Sequence, residues 1–181
     1  MAKGRAYAEL IARPAFGPPH RSVNNIIAGA IAGFSATVPM TAAMAGMHKM
    51  LPRYEKYPLP PRLITENVLE KADVAEQVPE NSERQLALVN HFAYGLATGA
   101  IYASGLRAFG VRPTVANGVA FGLAVWAGSY QALLPMVGLF PPADEQPARR
   151  NALMIAAHIV WGGALGLILS KMEADETKTA Q

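Results

Sequence analysis

The 181-residue sequence contains no cysteine. This absence excludes a disulfide framework, thiolate zinc sites, cysteine-ligated iron–sulfur clusters and a cysteine nucleophile. Charged side chains are also scarce, at 16% of the chain against about 25% in typical soluble domains. The net charge is +3, but the basic residues form no stripe, so the sequence does not favour nucleic acid as a partner.

Catalytic motifs are missing as well. The sequence has no phosphate-binding Gly-Lys-Ser loop, no zinc-protease helix and no Gly-x-Ser-x-Gly elbow. We therefore assign no catalytic residue, and we expect a protein that is not an enzyme.

The chain does contain long apolar runs. A bilayer core of about 30 Å needs about 20 helical residues, and four stretches are long enough: 23–48, 86–109, 115–139 and 151–172. None of them contains Asp or Glu. The alternative for the first run is a cleaved signal peptide ending near Ala43–Ala45, which the proline-broken leader and the three later runs argue against. The sequence predicts an all-α integral membrane protein, a bundle of four helices.

The remaining segments are polar. Residues 1–22 form a basic leader, and we predict that residues 173–181 are a disordered tail. In the first loop, apolar residues at helical spacing predict an amphipathic helix over residues 61–78, resting on the bilayer or on the bundle. Arg149 and Arg150 are expected to mark the membrane interface. The basic leader favours a cytoplasmic location for both termini.

A short pattern occurs twice. His91 to Gly99 in the second span and His158 to Gly166 in the fourth both read His-x-x-aromatic-Gly-x-x-x-Gly, and the first and third spans match more loosely. This repeat predicts two helical hairpins related by a pseudo-twofold axis along the membrane normal. Glycines four residues apart let helices approach closely in lipid, so we predict packing roles for Gly29, Gly33, Gly95, Gly99, Gly118, Gly122, Gly162 and Gly166.

The topology places several polar and aromatic side chains at one depth, toward the first loop. They are His91, His158, Tyr94, Trp161, Gln131 and His48. Polar groups within a span suggest a functional site, and paired imidazoles suit haem, a metal, proton transfer or a quinone head group. The alternative is interhelical hydrogen bonding with aromatic anchors. We assign no metal ligands, because the spans lack the carboxylate or third close histidine that a metal site requires.

Several pieces resemble the YagU-like bacterial inner-membrane proteins. They are Pro58 to Arg62, His91 with Gly99 and Tyr102, Pro135 to Pro142, and His158 to Trp161, which together cover roughly residues 55–170 in order. The leader and the region from Thr65 to Glu83 do not match. The resemblance implies a multi-pass protein of the bacterial inner (plasma) membrane, from a family whose activity is not established.

Three functions follow from these observations. The first is an accessory or envelope component that acts through helix packing in the lipid bilayer, as a homo-oligomer or within a larger membrane complex. The second is a small oligomeric transporter or channel that uses the histidine level. The third is a haem-, metal- or quinone-binding protein. We expect no cofactor, and haem and quinone stay open as alternatives.

Overall fold

The computed structural model describes residues 19–179, and all regular secondary structure in that range is helical. The helices are α1 (Pro19–Lys49), α2 (Pro60–Lys71), α3 (Glu80–Ala108), α4 (Val115–Met136) and α5 (Ala148–Thr179). Single 3-10 turns lie in the connections at Arg53–Glu55, Ala75–Gln77 and Ala143–Glu145. The predicted all-α class is confirmed, whereas the leader as far as residue 18 lies outside the described residues.

Three of the described helices are long and apolar enough to cross a membrane. They are Asn24–Lys49, Val115–Met136 and Ala148–Asp175. The second predicted span, 86–109, is helical as part of α3 but does not reach this level of hydropathy. The reason is that Asn90 and His91 interrupt its apolar run. A membrane crossing by α3 therefore stays a prediction.

Two segments differ from their predicted boundaries. The sequence predicts a disordered tail from residue 173, whereas α5 continues to Thr179 and contains an ion pair between Asp175 and Lys178, at 3.6 Å. The loop helix was predicted to reach residue 78, but α2 ends at Lys71. Asp73 has a φ of +57°, in the left-handed region, and this conformation ends the helix.

The four long helices pack in an uneven ring. α1 packs closely against α3 and α5, and α4 packs closely against α5, but α3 and α4 have very few contacts with each other. The close approaches are made by glycines: Gly33 and Gly29 face Gly95 and Gly99, while Gly118 and Gly122 face Gly162 and Gly166. The two glycine-mediated pairs leave an open seam between α3 and α4.

Helix α4 changes its winding halfway along. It is α-helical over Val115–Ala127 and π-helical over Gly128–Leu133, with a last α-helical turn at Leu134–Met136. Its start is fixed by a capping box, in which the Thr114 hydroxyl accepts from the Asn117 amide and the Asn117 side chain accepts from the Thr114 amide. π-Helical turns are rare in proteins, and those that occur often lie at functional sites. This one turns Ser129 and Tyr130 toward the interior.

Helix α2 lies across the end of the bundle. Its Arg62 forms ion pairs with Glu66 at 2.6 Å and with Glu80 of α3 at 3.3 Å, and these carboxylates raise the pKa of Arg62. On its other side, Asn67 donates to the Leu139 carbonyl and Lys71 to the Val137 carbonyl. The helix is thus held on the bundle, at both α3 and the segment that follows α4.

Arg150, which the sequence suggests as a marker of the membrane interface, is buried within the protein. Its side chain is 4% exposed, and its guanidinium donates to the carbonyls of Glu55, Tyr57 and Pro58 at 2.7–3.0 Å. The guanidinium also stacks on the Tyr57 ring at 3.6 Å. Arg150 therefore connects α5 to the loop between α1 and α2. The neighbouring Arg149, by contrast, has a side chain that is 64% exposed.

Candidate functional site

The open seam between α3 and α4 contains a cavity of about 220 Å³. We call it the α3–α4 cavity. Its walls are mainly apolar, and α1 and α5 form its floor while α2 covers the end near the first loop. Among the described residues that line it, none is Asp, Glu, Lys or Arg.

Four of the predicted site residues line this cavity: His91, Tyr94, His158 and Trp161. They come from two helices that do not pack closely on each other, α3 and α5, and the repeat places them at equivalent positions. The other two predicted residues lie elsewhere. Gln131 is exposed on α4, and the His48 imidazole forms a hydrogen bond with the Tyr57 carbonyl at 3.1 Å, beyond the cavity wall.

His91 presents a polar atom that the protein does not satisfy. Its Nε2 atom is shielded from solvent and has no hydrogen-bond partner among the described residues. Leaving a buried polar atom unpaired costs about 1–3 kcal/mol. Because His91 also lines the cavity, a bound molecule that reaches this atom would gain a hydrogen bond.

His158 is held in a fixed orientation. Its Nδ1 lies 2.7 Å from the Met154 carbonyl oxygen, and because a carbonyl only accepts, Nδ1 carries the proton. The Tyr130 ring packs edge-on against the imidazole, with centroids 6.0 Å apart. The neutral tautomer therefore keeps Nε2 as an acceptor. The two histidines thus differ among the described residues: His158 has a hydrogen-bond partner in its own helix, and Nε2 of His91 has none.

Trp161 forms part of the floor. It is 2% exposed, and its indole nitrogen donates to the Gly33 carbonyl of α1 at 3.2 Å. The Phe121 ring lies 6.2 Å from it. Trp161 thus joins α5 to α1 and α4 in addition to lining the cavity.

The mouth of the cavity is identified by the lining residues that are exposed. These are Val68 of α2, Asn90 and Tyr94 of α3, and Leu133 of α4. The Tyr94 hydroxyl forms a hydrogen bond with the Ser129 hydroxyl at 2.8 Å, which bridges the seam. Further along, the Tyr102 hydroxyl donates to Asn117 at 2.5 Å and closes the opposite end.

Sequence reasoning missed several cavity residues. Thr37, Thr98 and Ser129 are buried in its wall, beside Tyr130, which the sequence already places at the depth of the histidines. Both threonine hydroxyls donate to carbonyls of their own helices, Thr37 to Gly33 at 2.9 Å and Thr98 to Tyr94 at 2.7 Å. Threonines next to the packing glycines were the available signal for these two. Ser129 and Tyr130 face inward because of the π-helical turn, which no spacing rule for α-helices detects.

A model of the family described as a protein of unknown function (DUF1440) matches residues 41–166. This range includes α2, α3, α4 and all six residues of the predicted polar site, whereas the packing glycines Gly29 and Gly33 lie before it. The YagU-like proteins belong to this family, so the resemblance holds at the level of the family. No curated protein and no solved structure matches the chain.

Proposed function

The chain belongs to the DUF1440 family of proteins of unknown function, and from that premise we propose that it is a multi-pass membrane protein that binds a small uncharged molecule in the α3–α4 cavity. The carrying observation is the Nε2 atom of His91, which is enclosed, lacks a protein partner and belongs to a residue in the cavity wall. Native structures rarely leave buried polar atoms unpaired, and each exception calls for an explanation.

The proposed membrane form is a bundle of four spans made of two hairpins, α1 with α3 and α4 with α5, in the bacterial inner membrane with both termini in the cytoplasm. Large apolar side chains on the outer face of α1 support it: Ile27, Ile31, Phe34 and Val38 are each about half exposed and recur at helical spacing. Such a surface is costly in water and favourable in hydrocarbon. The glycine-mediated contacts within each hairpin support it as well.

Four spans predict a specific labelling pattern. The chain has no cysteine of its own, so single cysteines report the side of the membrane on which they lie. We expect Arg112→Cys and Lys178→Cys to react with a charged maleimide from the cytoplasmic side, and Glu76→Cys and Asp144→Cys from the opposite side. All four positions are exposed. Reaction of Glu76→Cys and Arg112→Cys from the same side would show that α3 does not cross the membrane.

An uncharged ligand fits the chemistry of the cavity walls. A charged group would enter mainly apolar surroundings without a counter-charge, and this is very unfavourable. A neutral molecule can accept from or donate to the His91 imidazole and fill the rest of the space with apolar atoms. The cavity volume of about 220 Å³ is below the roughly 300–1,000 Å³ of ordinary small-molecule pockets. It suits one ring or a short chain, whereas a haem macrocycle is much larger.

Filling the cavity is expected to remove the bound molecule. Val125 lines the cavity, whereas Val89 is 63% exposed on the outer face of α3. We expect native mass spectrometry of gently solubilised protein to show a small-molecule adduct in the wild type and in Val89→Phe. The same adduct should be lost from Val125→Phe, because its ring occupies the space.

His91→Leu separates binding from folding. Removing a buried polar atom that has no partner is neutral or stabilising, by up to about 1 kcal/mol, so the melting temperature should hold or rise. The adduct should nevertheless decrease, because its hydrogen-bond partner is gone. An adduct that survives in both Val125→Phe and His91→Leu would contradict binding in this cavity, and so would its complete absence from the wild type.

A further inference from the structure

We infer that the ligand of the α3–α4 cavity is a membrane-resident amphiphile, which enters sideways between α3 and α4 and places its uncharged polar head at His91. The inference rests on the proposed function, and it adds both the class of molecule and its route. It follows from where the cavity is closed, where it is open, and how large it is.

The end of the cavity near the first loop is covered by α2. Two sets of contacts hold this cover, the Arg62 ion pair with Glu80 of α3 on one side and the Asn67 hydrogen bond to the Leu139 carbonyl on the other. The buried Thr65 and the half-buried Ile64 of α2 line the cavity beneath it. Direct entry from the water above the bundle is therefore obstructed.

The opposite end is closed by a second set of contacts. The Tyr102 hydroxyl donates to Asn117 across the seam, and the Tyr102 ring packs on Phe121 with centroids 5.0 Å apart. Phe121 in turn packs on Trp161. An open channel through the bundle is therefore absent from the described residues, and the structure does not favour a pore along this axis.

The remaining opening lies at the side. Tyr94, Leu133 and Val68 are 43–46% exposed although they line the cavity, and they come from α3, α4 and α2. α3 and α4 barely contact each other here, apart from the Tyr94–Ser129 hydrogen bond. In the proposed membrane form this seam faces lipid, near the level of the head groups. A molecule already dissolved in the bilayer reaches it without crossing water.

The size of the cavity determines which part of the molecule enters. About 220 Å³ accommodates a head group or a single ring, but not an entire lipid of several tens of atoms. The apolar tail would remain in the seam, along Leu133. The head would lie at His91, a lining residue whose Nε2 atom has no partner among the described residues. The structure thus favours an amphiphile with a compact neutral head.

The two tryptophans allow a direct test. Trp161 lines the cavity and is 2% exposed, so bulk lipid does not contact it, whereas Trp126 is not part of the wall. The Trp126→Phe protein, reconstituted in phosphatidylcholine vesicles, therefore reports on the cavity through Trp161 alone. Bromine quenches tryptophan fluorescence only at close range. The probes are 2-bromododecan-1-ol, which is uncharged, and 2-bromododecanoate, which has the same chain and a charged head.

We expect 2-bromododecan-1-ol to quench Trp161 saturably, with an apparent affinity about tenfold or more above that of 2-bromododecanoate, because the walls offer no counter-charge. Acrylamide dissolved in the water should quench Trp161 weakly. Leu133→Phe, at the mouth, should slow or reduce quenching by the alcohol. Leu88→Phe is the matched control, since Leu88 is 51% exposed on the outer face of α3 and does not line the cavity.

The results of these quenching experiments test entry from the bilayer separately from ligand binding in the cavity. Strong quenching of Trp161 by acrylamide would overturn entry from the bilayer and leave binding in the cavity intact. Equal quenching by the alcohol and the carboxylate would overturn the uncharged head. The Trp161→Phe variant retains only Trp126 and serves as the comparison. If the bromoalcohol quenches this variant and Trp126→Phe equally and without saturation, both tryptophans contact bulk lipid only, and the inference is overturned.

Discussion

Arg150→Ala is expected to destabilise the protein by about 3–5 kcal/mol, the range seen when one partner of a buried charged network is removed. The guanidinium is buried, donates to three backbone carbonyls and stacks on Tyr57. Alanine would leave those three carbonyls without their charged donor. The free energy of unfolding, measured in detergent by thermal or denaturant titration, gives the value.

Two variants test the geometry behind this expectation. Arg150→Lys keeps the charge but loses the planar fork and the stacking, so an intermediate loss is expected. Arg149→Ala is the neighbouring comparison: its exposed side chain forms one long ion pair with Glu55, at 3.8 Å, so a smaller loss than for Arg150→Ala is expected. Similar losses for Arg149→Ala and Arg150→Ala would contradict the role assigned to Arg150.

The second large effect concerns two glycines of α1: a change to alanine is expected to lower the free energy of unfolding at Gly33 but not at Gly46. A Cβ atom on Gly33 would lie 2.8 Å from the Gly99 Cα and closer still to the Gly95 carbonyl oxygen. Both contacts are with backbone, so α1 and α3 must move apart. Overpacking of this kind costs about 1–3 kcal/mol. We expect Gly33→Ala to lower the free energy of unfolding, and Gly33→Leu to lower it much further.

Gly46 provides the control within the same helix. A Cβ atom there would meet nothing within 4 Å, so only helix propensity changes, and alanine is favoured over glycine by up to about 1 kcal/mol. Gly46→Ala should therefore be neutral or stabilising. Gly162→Ala, at the equivalent contact with Gly118, should repeat the loss seen at Gly33. A loss at Gly46 equal to that at Gly33 would mean that glycine acts through backbone flexibility, not through close packing.

The contrast between the two histidines shows the limit of a repeat. The sequence places His91 and His158 at equivalent positions, which suggests one shared role. In the structure, Nδ1 of His158 donates to the Met154 carbonyl, while Nε2 of His91 has no described partner. The partner of His158 is the carbonyl four residues earlier in its own helix, and the repeat places Ala87 at the equivalent position of α3, where His91 forms no such bond. A sequence repeat does not specify the orientation of each side chain.

Arg149 and Arg150 also look equivalent in the sequence but differ in the structure. Nothing in the sequence separates Arg149 from Arg150, since both precede the last span and both suit a membrane interface. Successive side chains of an α-helix are rotated by about 100°. Arg149 therefore faces solvent, whereas Arg150 faces the loop between α1 and α2. The partners of Arg150 are backbone carbonyls nearly a hundred residues away. Backbone acceptors have no signature in the amino-acid sequence.

The sequence by itself determined the helical class, the positions of the long helices and the glycine spacing along them, because apolar periodicity and residue size are local properties of the chain. Only the tertiary structure decided that α3 and α4 stay apart, that a π-helical turn directs Ser129 and Tyr130 inward, and that the resulting space is closed at both ends. Those features depend on which helices approach each other, and the free energy of that choice is a sum over contacts between residues distant in the chain.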